Sequence, residues 1–278
     1  MANCELFEKG AAYFESAIVP LWQEGYDSLV ARARVAQGSG ALDVGSGSGE
    51  IALRLGRIVG DRGSVVAVDA SREMLSIAKR KAAERGIRNI EFKVSAMESM
   101  KLPSESFDSV LAHYSLCCCS DYRAALAECL RVLKPGGRLT YNHGGPYDPL
   151  AFQVMIKIFE NYKTSTPSKK LKEMRDSEAA QAEAVEKYTD PYVTLEEMRN
   201  VGFKDVEATL AKRTVKYKDV EAYIDEWILF DWVSEVEEIS DADIRRFRRK
   251  ATEAMTPLSK GPGFTVEKDT IFFTGVKQ

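Results

Sequence analysis

Apolar and polar residues follow two different periods along the chain, and these periods predict an α/β fold. Short runs that are apolar, or in which apolar and polar residues alternate as at 90–94, predict strands at residues 41–44, 65–68, 90–94, 107–112 and 138–142. Two further strands are expected within 203–215 and 270–276. Between these runs, apolar residues recur every three or four positions, as in helices that pack one face against a sheet. Strands that alternate with helices favour a mostly parallel sheet with helices on both faces.

Helical periodicity also appears in segments beyond the helices that connect successive strands of the predicted sheet. Residues 1–35 form the first of these segments, and Pro20 should break or kink the helix there. Residues 147–190 are too long for a simple connection and predict a helical insertion. In the C-terminal half, residues 191–278, a further helical segment is expected at 219–256.

Three polar residues are predicted to cap helices. Ser71 and Asp121 each precede a helical pattern, and both are residue types that accept a hydrogen bond from the first turn. Thr194 and Glu197 have the spacing of a capping box, which predicts a helix that opens there and ends near Asn200.

The first predicted strand ends in a glycine-rich turn that predicts a ligand site. Gly45, Gly47 and Gly49 stand at alternate positions, and a helical pattern begins directly after them. Glycine reaches backbone angles closed to other residues and, without a Cβ atom, lets a ligand lie against the main chain. The N–H groups at the start of the helix favour an anionic group. NAD-type dinucleotides and S-adenosylmethionine both bind such turns, so the glycines alone do not choose between them.

The residues downstream of this turn distinguish the two ligand classes. Asp43 precedes the first glycine by two residues, and Asp69 ends the second predicted strand, placed to accept hydrogen bonds from ribose hydroxyls. Further along come Phe107-Asp108-Ser109-Val110, the segment from Leu116 to Asp121, and Arg131-Val132-Leu133-Lys134-Pro135-Gly136-Gly137. In order and spacing these segments resemble the motifs of the class I S-adenosylmethionine-dependent methyltransferases, in the branch that acts on small molecules.

The resemblance implies a Rossmann-like, seven-stranded, mostly parallel sheet in a single domain over residues 1–278. Residues 36–146 would form the cofactor-binding half, and 147–190 would be a lid over the acceptor. The cofactor-binding residues that the resemblance implies are Asp43, Gly45, Ser46, Gly47, Gly49, Asp69, Ala70, Met74, Ala96, Met97 and His113. Ala96 departs from the family pattern, because an acid that receives the adenine amino group often stands there.

Fewer residues define the acceptor side. The chain has two histidines, His113 and His143, and both fall at the carboxyl ends of predicted strands, where ligands bind in open α/β sheets. We expect His143 to be the catalytic base if the acceptor needs one, because a neutral imidazole takes up a proton at cellular pH. His113 is expected to line the cofactor cleft. The candidates for contact with the acceptor are Tyr13, Tyr26, Tyr114 and Trp227.

Three consecutive cysteines are the most unusual feature of the sequence. Cys117, Cys118 and Cys119 lack the spacing of a zinc site, so no metal cofactor is predicted. We expect them to be small buried residues. A soft-metal or arsenical acceptor remains an alternative.

Composition narrows the functional class. The chain has 278 residues, 45% hydrophobic and 29% charged, as in a soluble globular protein. Its net charge of −3 gives no attraction to nucleic acid, and no stretch has the length or polarity of a signal peptide or a membrane span. Five cysteines form no disulfide framework, which favours a reducing compartment. We expect a cytoplasmic enzyme, monomer or homodimer, with a small-molecule acceptor and no nucleic-acid or membrane partner.

Two other functions remain open from the sequence. A non-catalytic S-adenosylmethionine-binding module would keep the fold, and the missing acid at Ala96 is its only support. An NAD-type enzyme would share the glycine turn and Asp69, and it leaves the downstream segments unexplained.

Overall fold

Seven strands form one mixed sheet. The computed structural model describes residues 2–145, 149–259 and 261–278, with all their side chains except those of residues 2–6, 181, 184 and 185. The strands are β1 (Gly40–Val44), β2 (Ser64–Asp69), β3 (Ile90–Val94), β4 (Phe107–His113), β5 (Leu133–Gly144), β6 (Lys204–Tyr217) and β7 (Phe264–Val276). Their order is β3-β2-β1-β4-β5-β7-β6. The expected Rossmann-like α/β sheet is confirmed.

The direction of the strands places a crevice at the middle of the sheet. β1 pairs in parallel with β2 on one side and with β4 on the other, and β3 and β5 continue the parallel pairing outwards. β7 is antiparallel to both β5 and β6. The chain reverses its order between β1 and β4, and ligands bind beyond the carboxyl ends of the strands at such a switch point.

Helices cover both faces of the sheet and one of its ends. They are α1 (Ala2–Tyr13), α2 (Gln23–Ala33), α3 (Glu50–Val59), α4 (Arg72–Glu84), α5 (Tyr122–Val132), α6 (Leu150–Phe159), α7 (Lys169–Glu186), α8 (Pro191–Val201), α9 (Val220–Glu226), α10 (Val233–Val236) and α11 (Asp241–Met255). Two π-helical turns, Phe14–Ile18 and Trp227–Asp231, interrupt this pattern. The predicted break at Pro20 is a 3₁₀ turn, Val19–Trp22. No helix among the described residues has the length and hydropathy needed to cross a membrane.

Two of the three predicted caps are confirmed, and the third is wrong. The Ser71 hydroxyl accepts from Met74 N at 3.1 Å, and the Asp121 carboxylate accepts from Ala124 N at 2.9 Å. The helix expected to open at Thr194 begins at Pro191 instead, because Asp190 caps it by accepting from Tyr192 N at 2.8 Å. Thr194 is buried within the helix, and its hydroxyl donates to the Tyr188 carbonyl.

Separate hydrophobic cores lie on the two faces of the sheet. Leu139 and Tyr141 of β5 belong to the core under α5 and α8. Leu111 of β4 belongs to the core under α2 and α3. Side chains alternate along a strand, so His143 shares the face of Tyr141, and His113 shares the opposite face with Leu111. The two histidines therefore lie on opposite faces of the sheet.

A third core joins the helices of the insertion to those that precede β7. α6, α9 and α11 pack around buried aromatic residues, and Phe159 stacks on Trp232 with ring centroids 4.2 Å apart. Arg248 on α11 pairs with Glu221 and Asp225 on α9 at 2.9 and 2.5 Å. We call this assembly, with α7, the lid. Helices lie within both segments for which helices were predicted, and the expected boundary at residues 146 and 147 lies outside the described residues.

Candidate functional site

A cavity of about 1150 Å³ opens at the carboxyl ends of the central strands. One half is formed by the glycine turn and the ends of β2 and β3. The other half is closed by the N-terminal helices and the lid. This volume exceeds the range of about 300–1000 Å³ usual for one ligand, so the cavity can hold a cofactor and a second molecule together.

The three glycines of the turn have three different roles. All have positive φ angles: 65° at Gly45, 51° at Gly47 and 87° at Gly49. A Cβ on Gly45 would lie 2.3 Å from the Ser115 Cβ, so this glycine permits close packing of β1 on β4. A Cβ on Gly47 would meet nothing within 4 Å, and Gly47 lines the cavity. Gly49 precedes α3, and its backbone is too close to Ala78 for a side chain.

Asp69 connects the end of β2 to this turn. Its Oδ2 accepts from Gly47 N at 2.7 Å and its Oδ1 accepts from Ser71 N at 2.8 Å. Each carboxylate oxygen has a second lone pair, so both can accept another hydrogen bond from the cavity. Burial raises the pKa of Asp69, and the two backbone N–H groups oppose this effect.

Asp43 lies behind the same turn and is almost fully buried. Its Oδ2 accepts from Ala52 N at 2.9 Å, while Oδ1 has no hydrogen-bond partner among the described residues. Burial raises the pKa of Asp43 to about 8; the Ala52 N–H lowers it, and the Asp69 carboxylate adds to the rise. An unsatisfied buried carboxylate oxygen next to a cavity favours a cationic or hydrogen-bond-donating ligand there.

The end of β3 forms the next part of the wall. Ala96 and Met97 line the cavity, together with Ala70 and Ser46. Glu98 also lines the cavity, and its carboxylate accepts from Ser120 N at 2.7 Å and from the Ser120 hydroxyl at 2.9 Å.

Aromatic side chains surround His113 in the other half of the cavity. Its ring lies 4.5 Å from Tyr26, 5.0 Å from Tyr114 and 5.7 Å from Trp22, between centroids. Burial, together with the positive charges of Arg213 and Arg54, lowers the pKa of His113 to about 3. The imidazole is therefore neutral and a weak base. The Tyr114 hydroxyl is engaged with Thr270 Oγ1 at 2.6 Å.

The cysteines line the floor between the two halves. Cys117 and Cys118 are half-buried, with their sulfur atoms 4.0 Å apart, and only Cys119 is fully buried. The expectation of three buried residues is therefore correct for Cys119 alone. No cluster among the described residues has the composition of a metal site.

The two π-helical turns meet above the cavity. Val19 N donates to Phe14 O, and Trp232 N donates to Trp227 O at 2.6 Å, the five-residue spacing of a π-helix. Phe14 and Phe230 contact each other with centroids 5.4 Å apart, and Phe7 lies 5.3 Å from Phe230. The lid turn also brings Glu226 and Asp231 to the cavity wall.

Five residues of the sequence-predicted site do not line the cavity: His143, Trp227, Tyr13, Met74 and Gly49. His143 is buried on the opposite face of the sheet, with Nδ1 2.7 Å from the Gly144 carbonyl oxygen and its ring 4.9 Å from Phe273. Its position gives no support to a role as base. Trp227 packs on Phe152 inside the lid, and Met74 is fully buried.

Sequence reasoning missed several residues of the acceptor half: Phe14, Trp22, Glu226, Phe230 and Asp231. Their apolar neighbours predicted helices correctly. A π-helical turn has no sequence periodicity of its own, so nothing in the pattern indicated which residues of these helices face inwards.

The charge of the cavity is negative. Its carboxylates are Glu8, Asp43, Glu50, Asp69, Glu98, Glu226 and Asp231. None of the described residues that line it is a lysine or an arginine. S-Adenosylmethionine carries a sulfonium and an ammonium group, and such a wall suits it.

Comparisons with known proteins decide the family. The sequence model of the ubiE/COQ5 methyltransferase family matches residues 16–215. The chain belongs to this family. The ubiquinone/menaquinone biosynthesis C-methyltransferase UbiE of Francisella tularensis subsp. novicida is 31% identical over 192 residues, which cover 67% of this chain and 74% of that protein. The protein is therefore an S-adenosylmethionine-dependent methyltransferase.

Solved structures show the same fold. The YcgJ protein of Bacillus subtilis is 18% identical, with a TM-score of 0.55 over 92% of this chain and 98% of that one. A phosphoethanolamine N-methyltransferase of Haemonchus contortus, in complex with S-adenosylhomocysteine, is 18% identical, with a TM-score of 0.52 over 91% of this chain and 52% of that one. At this identity the likeness concerns the fold alone.

Proposed function

We propose that this methyltransferase transfers the methyl group to an apolar small molecule that carries a hydroxyl on an aromatic ring. The observation that carries the proposal is the cavity at the carboxyl ends of the central strands, which runs from the glycine turn to an aromatic wall and has no lysine or arginine in its described lining. A carboxylate or phosphate on the acceptor would meet several carboxylates and no cation there.

The residues around the glycine turn fit the cofactor. Asp69 would accept from the ribose hydroxyls with the free lone pairs of its two oxygens. The unpartnered Asp43 Oδ1 would accept from the ammonium group, directly or through one water. The part of the cofactor between its ribose and its ammonium group would lie in the open space at Gly47. Ala96 and Met97 would flank the adenine.

Bound S-adenosylmethionine supplies an electrophilic methyl group on a sulfonium. The protein contributes position, because an in-line displacement needs the acceptor atom held against that methyl. Trp22, Tyr114 and Phe230 would hold the acceptor ring from the sides, and the lid would exclude water.

The relatives support this class of acceptor. The UbiE relative is named as a C-methyltransferase of ubiquinone and menaquinone biosynthesis. The acceptor half of the cavity in this protein is lined by apolar and aromatic side chains, which suits the proposed apolar acceptor.

Transfer of a labelled methyl group tests the proposal. The purified protein is incubated with methyl-tritiated S-adenosylmethionine and a panel of alkylphenols, alkylhydroquinones and matched alkylbenzoates. Label should enter the phenols or hydroquinones and not the benzoates. Tight cofactor binding with no transfer to any of them would favour a non-catalytic module, and transfer to the benzoates alone would contradict the proposed acceptor.

A further inference from the structure

Asp231 differs from the other carboxylates of the cavity in having no partner. It ends the π-helical turn of the lid, lines the cavity, and has an exposed side chain. No hydrogen bond or ion pair joins it to any described residue. By contrast, neighbouring Glu226 accepts from the Tyr217 hydroxyl and pairs with Lys268 at 3.0 Å.

The electrostatic environment of the Cys118 thiol relates Asp231 to the cofactor half of the cavity. The pKa of the Cys118 thiol is well above its usual value, because of its hydrogen bond with Cys117, burial, and the negative charges near it. Those charges include both Asp231 and Asp69. The charges of the lid carboxylate and of the acid at the end of β2 therefore both reach the Cys118 thiol, and all three residues line the same cavity.

We propose that Asp231 binds the acceptor's hydroxyl and takes up the proton that the acceptor loses on methylation. The inference rests on the proposed function. In the reaction the acceptor atom forms a bond to the methyl carbon, the bond from sulfur to that carbon breaks, and the sulfur keeps the electron pair. The acceptor releases one proton overall, and Asp231 receives it.

The environment of Asp231 suits this role at neutral pH. Desolvation by the protein around the cavity raises its pKa to about 7, with Glu226 and Glu178 adding to the rise and Lys268 opposing it. A base works best when its pKa is near the working pH. Because Lys268 already pairs with Glu226, Asp231 is the one unpaired carboxylate among the described lid residues that line the cavity, and it can accept one hydroxyl proton.

The other titratable groups of the acceptor half fit the role less well. His113 has a pKa of about 3, so it is a weak base. The Tyr114 hydroxyl is held by Thr270, and Asp43 lies behind the glycine turn on the cofactor side. His143 is on the other face of the sheet.

Binding of two probes to the protein saturated with S-adenosylhomocysteine tests the inference without knowledge of the acceptor. 4-Propylphenol carries the hydroxyl, and 4-propylanisole has the same shape without the donor. Calorimetry should show the phenol binding about tenfold more tightly than the anisole, because a hydrogen bond to a charged group is lost in the second case. Asp231→Leu should abolish this preference and change the affinity for anisole by less than about twofold.

The control is Glu237→Gln, which changes an exposed lid carboxylate that pairs with Lys9 at 3.6 Å. It should keep the native preference. Unchanged affinity for S-adenosylhomocysteine and an unchanged unfolding temperature will show that each variant is folded. Equal binding of both probes to the native protein, no binding of either, or a retained preference in Asp231→Leu would overturn the inference. So would tighter, Asp231-dependent binding of 4-propylbenzylamine, since the site would then select an ammonium group.

Turnover gives the second readout. With saturating cofactor and a hydroxylated acceptor, kcat of the native protein should rise through about pH 7, as Asp231 ionises. Asp231→Asn should lower kcat by about 10²–10⁴ with little change in KM, and the rise should disappear. Full turnover in Asp231→Asn would contradict the role of Asp231 as the base. It would not contradict the proposed function. Absence of cofactor binding in the native protein would instead remove the proposed function.

Discussion

The Asp69 carboxylate holds the glycine turn in place by accepting a hydrogen bond from Gly47 N at 2.7 Å. One side chain thus fixes the shape of the turn and presents its remaining lone pairs to the cavity. Because the same oxygen atoms would serve both functions, the proposed ribose contact and the turn geometry depend on each other.

Asp69→Ala should therefore weaken cofactor binding. We expect a loss of about 1–3 kcal/mol in binding free energy, as for hydrogen bonds to a desolvated carboxylate, measured by calorimetry with S-adenosylhomocysteine. Asp108→Ala is a matched control, because Asp108 accepts from Gly40 N at 2.8 Å in the same way but lies at the opposite end of the sheet. An equal loss in both variants would show a general effect on the sheet.

Gly47→Ala should block the cofactor by occupying its space. The added methyl group would project into the open cavity, and the φ of 51° would cost about 1 kcal/mol of stability as well. Gly86→Ala separates the two effects, because Gly86 has a φ of 67° and open space around it but does not line the cavity. Both variants should unfold at similarly lowered temperatures, and Gly47→Ala alone should lose affinity. Native affinity in Gly47→Ala would rule out this path for the cofactor.

Cofactor affinity should depend on pH through Asp43. Burial raises the pKa of Asp43 to about 8, so the acid is mostly protonated in the free protein at pH 6. The ammonium group of the ligand favours the ionised form. Affinity for S-adenosylhomocysteine should therefore rise from pH 6 to pH 8, and binding at the lower pH should release a proton, which calorimetry in two buffers detects.

Two controls belong to this measurement. 5′-Methylthioadenosine lacks the ammonium group and should bind with little dependence on pH. Asp43→Asn should remove the dependence for S-adenosylhomocysteine as well. The same slope for both ligands would assign the titration to another group.

His143→Ala should affect stability and leave the chemistry intact. The ring is buried against Phe273, so its removal should lower the free energy of unfolding by about 1–3 kcal/mol. At a temperature where the variant is fully folded, kcat and its pH profile should match those of the native protein. A lost acid limb would restore His143 as the base and exclude Asp231.

Features fixed by nearby residues could be predicted from the sequence. The glycine turn and the caps at Ser71 and Asp121 each depend on chemistry within a few positions. The cap at Thr194 was wrong although its motif was present, because Asp190 followed by Pro191 is a stronger start signal four residues earlier.

The residues that line the acceptor half of the cavity could not be predicted in the same way. A shift of one residue in a strand or helix changes which side chains face the cavity. β5 was expected to end at Asn142, and it continues to Gly144, so His143 follows the strand's alternation to the far face. Trp22 and Phe230 come from segments far apart in the chain, and only tertiary packing brings them to one wall.

The π-helical turn at Trp227–Asp231 makes the lid sensitive to the length of the chain there. One residue of an α-helix corresponds to about 100° of rotation, so deletion of the exposed Leu229 would restore ordinary spacing and turn Asp231 away from the cavity. The helix and its composition would remain almost unchanged. Among relatives of this protein, a one-residue gap at this turn would therefore separate enzymes of different acceptor chemistry more sharply than any substitution in the surrounding helices.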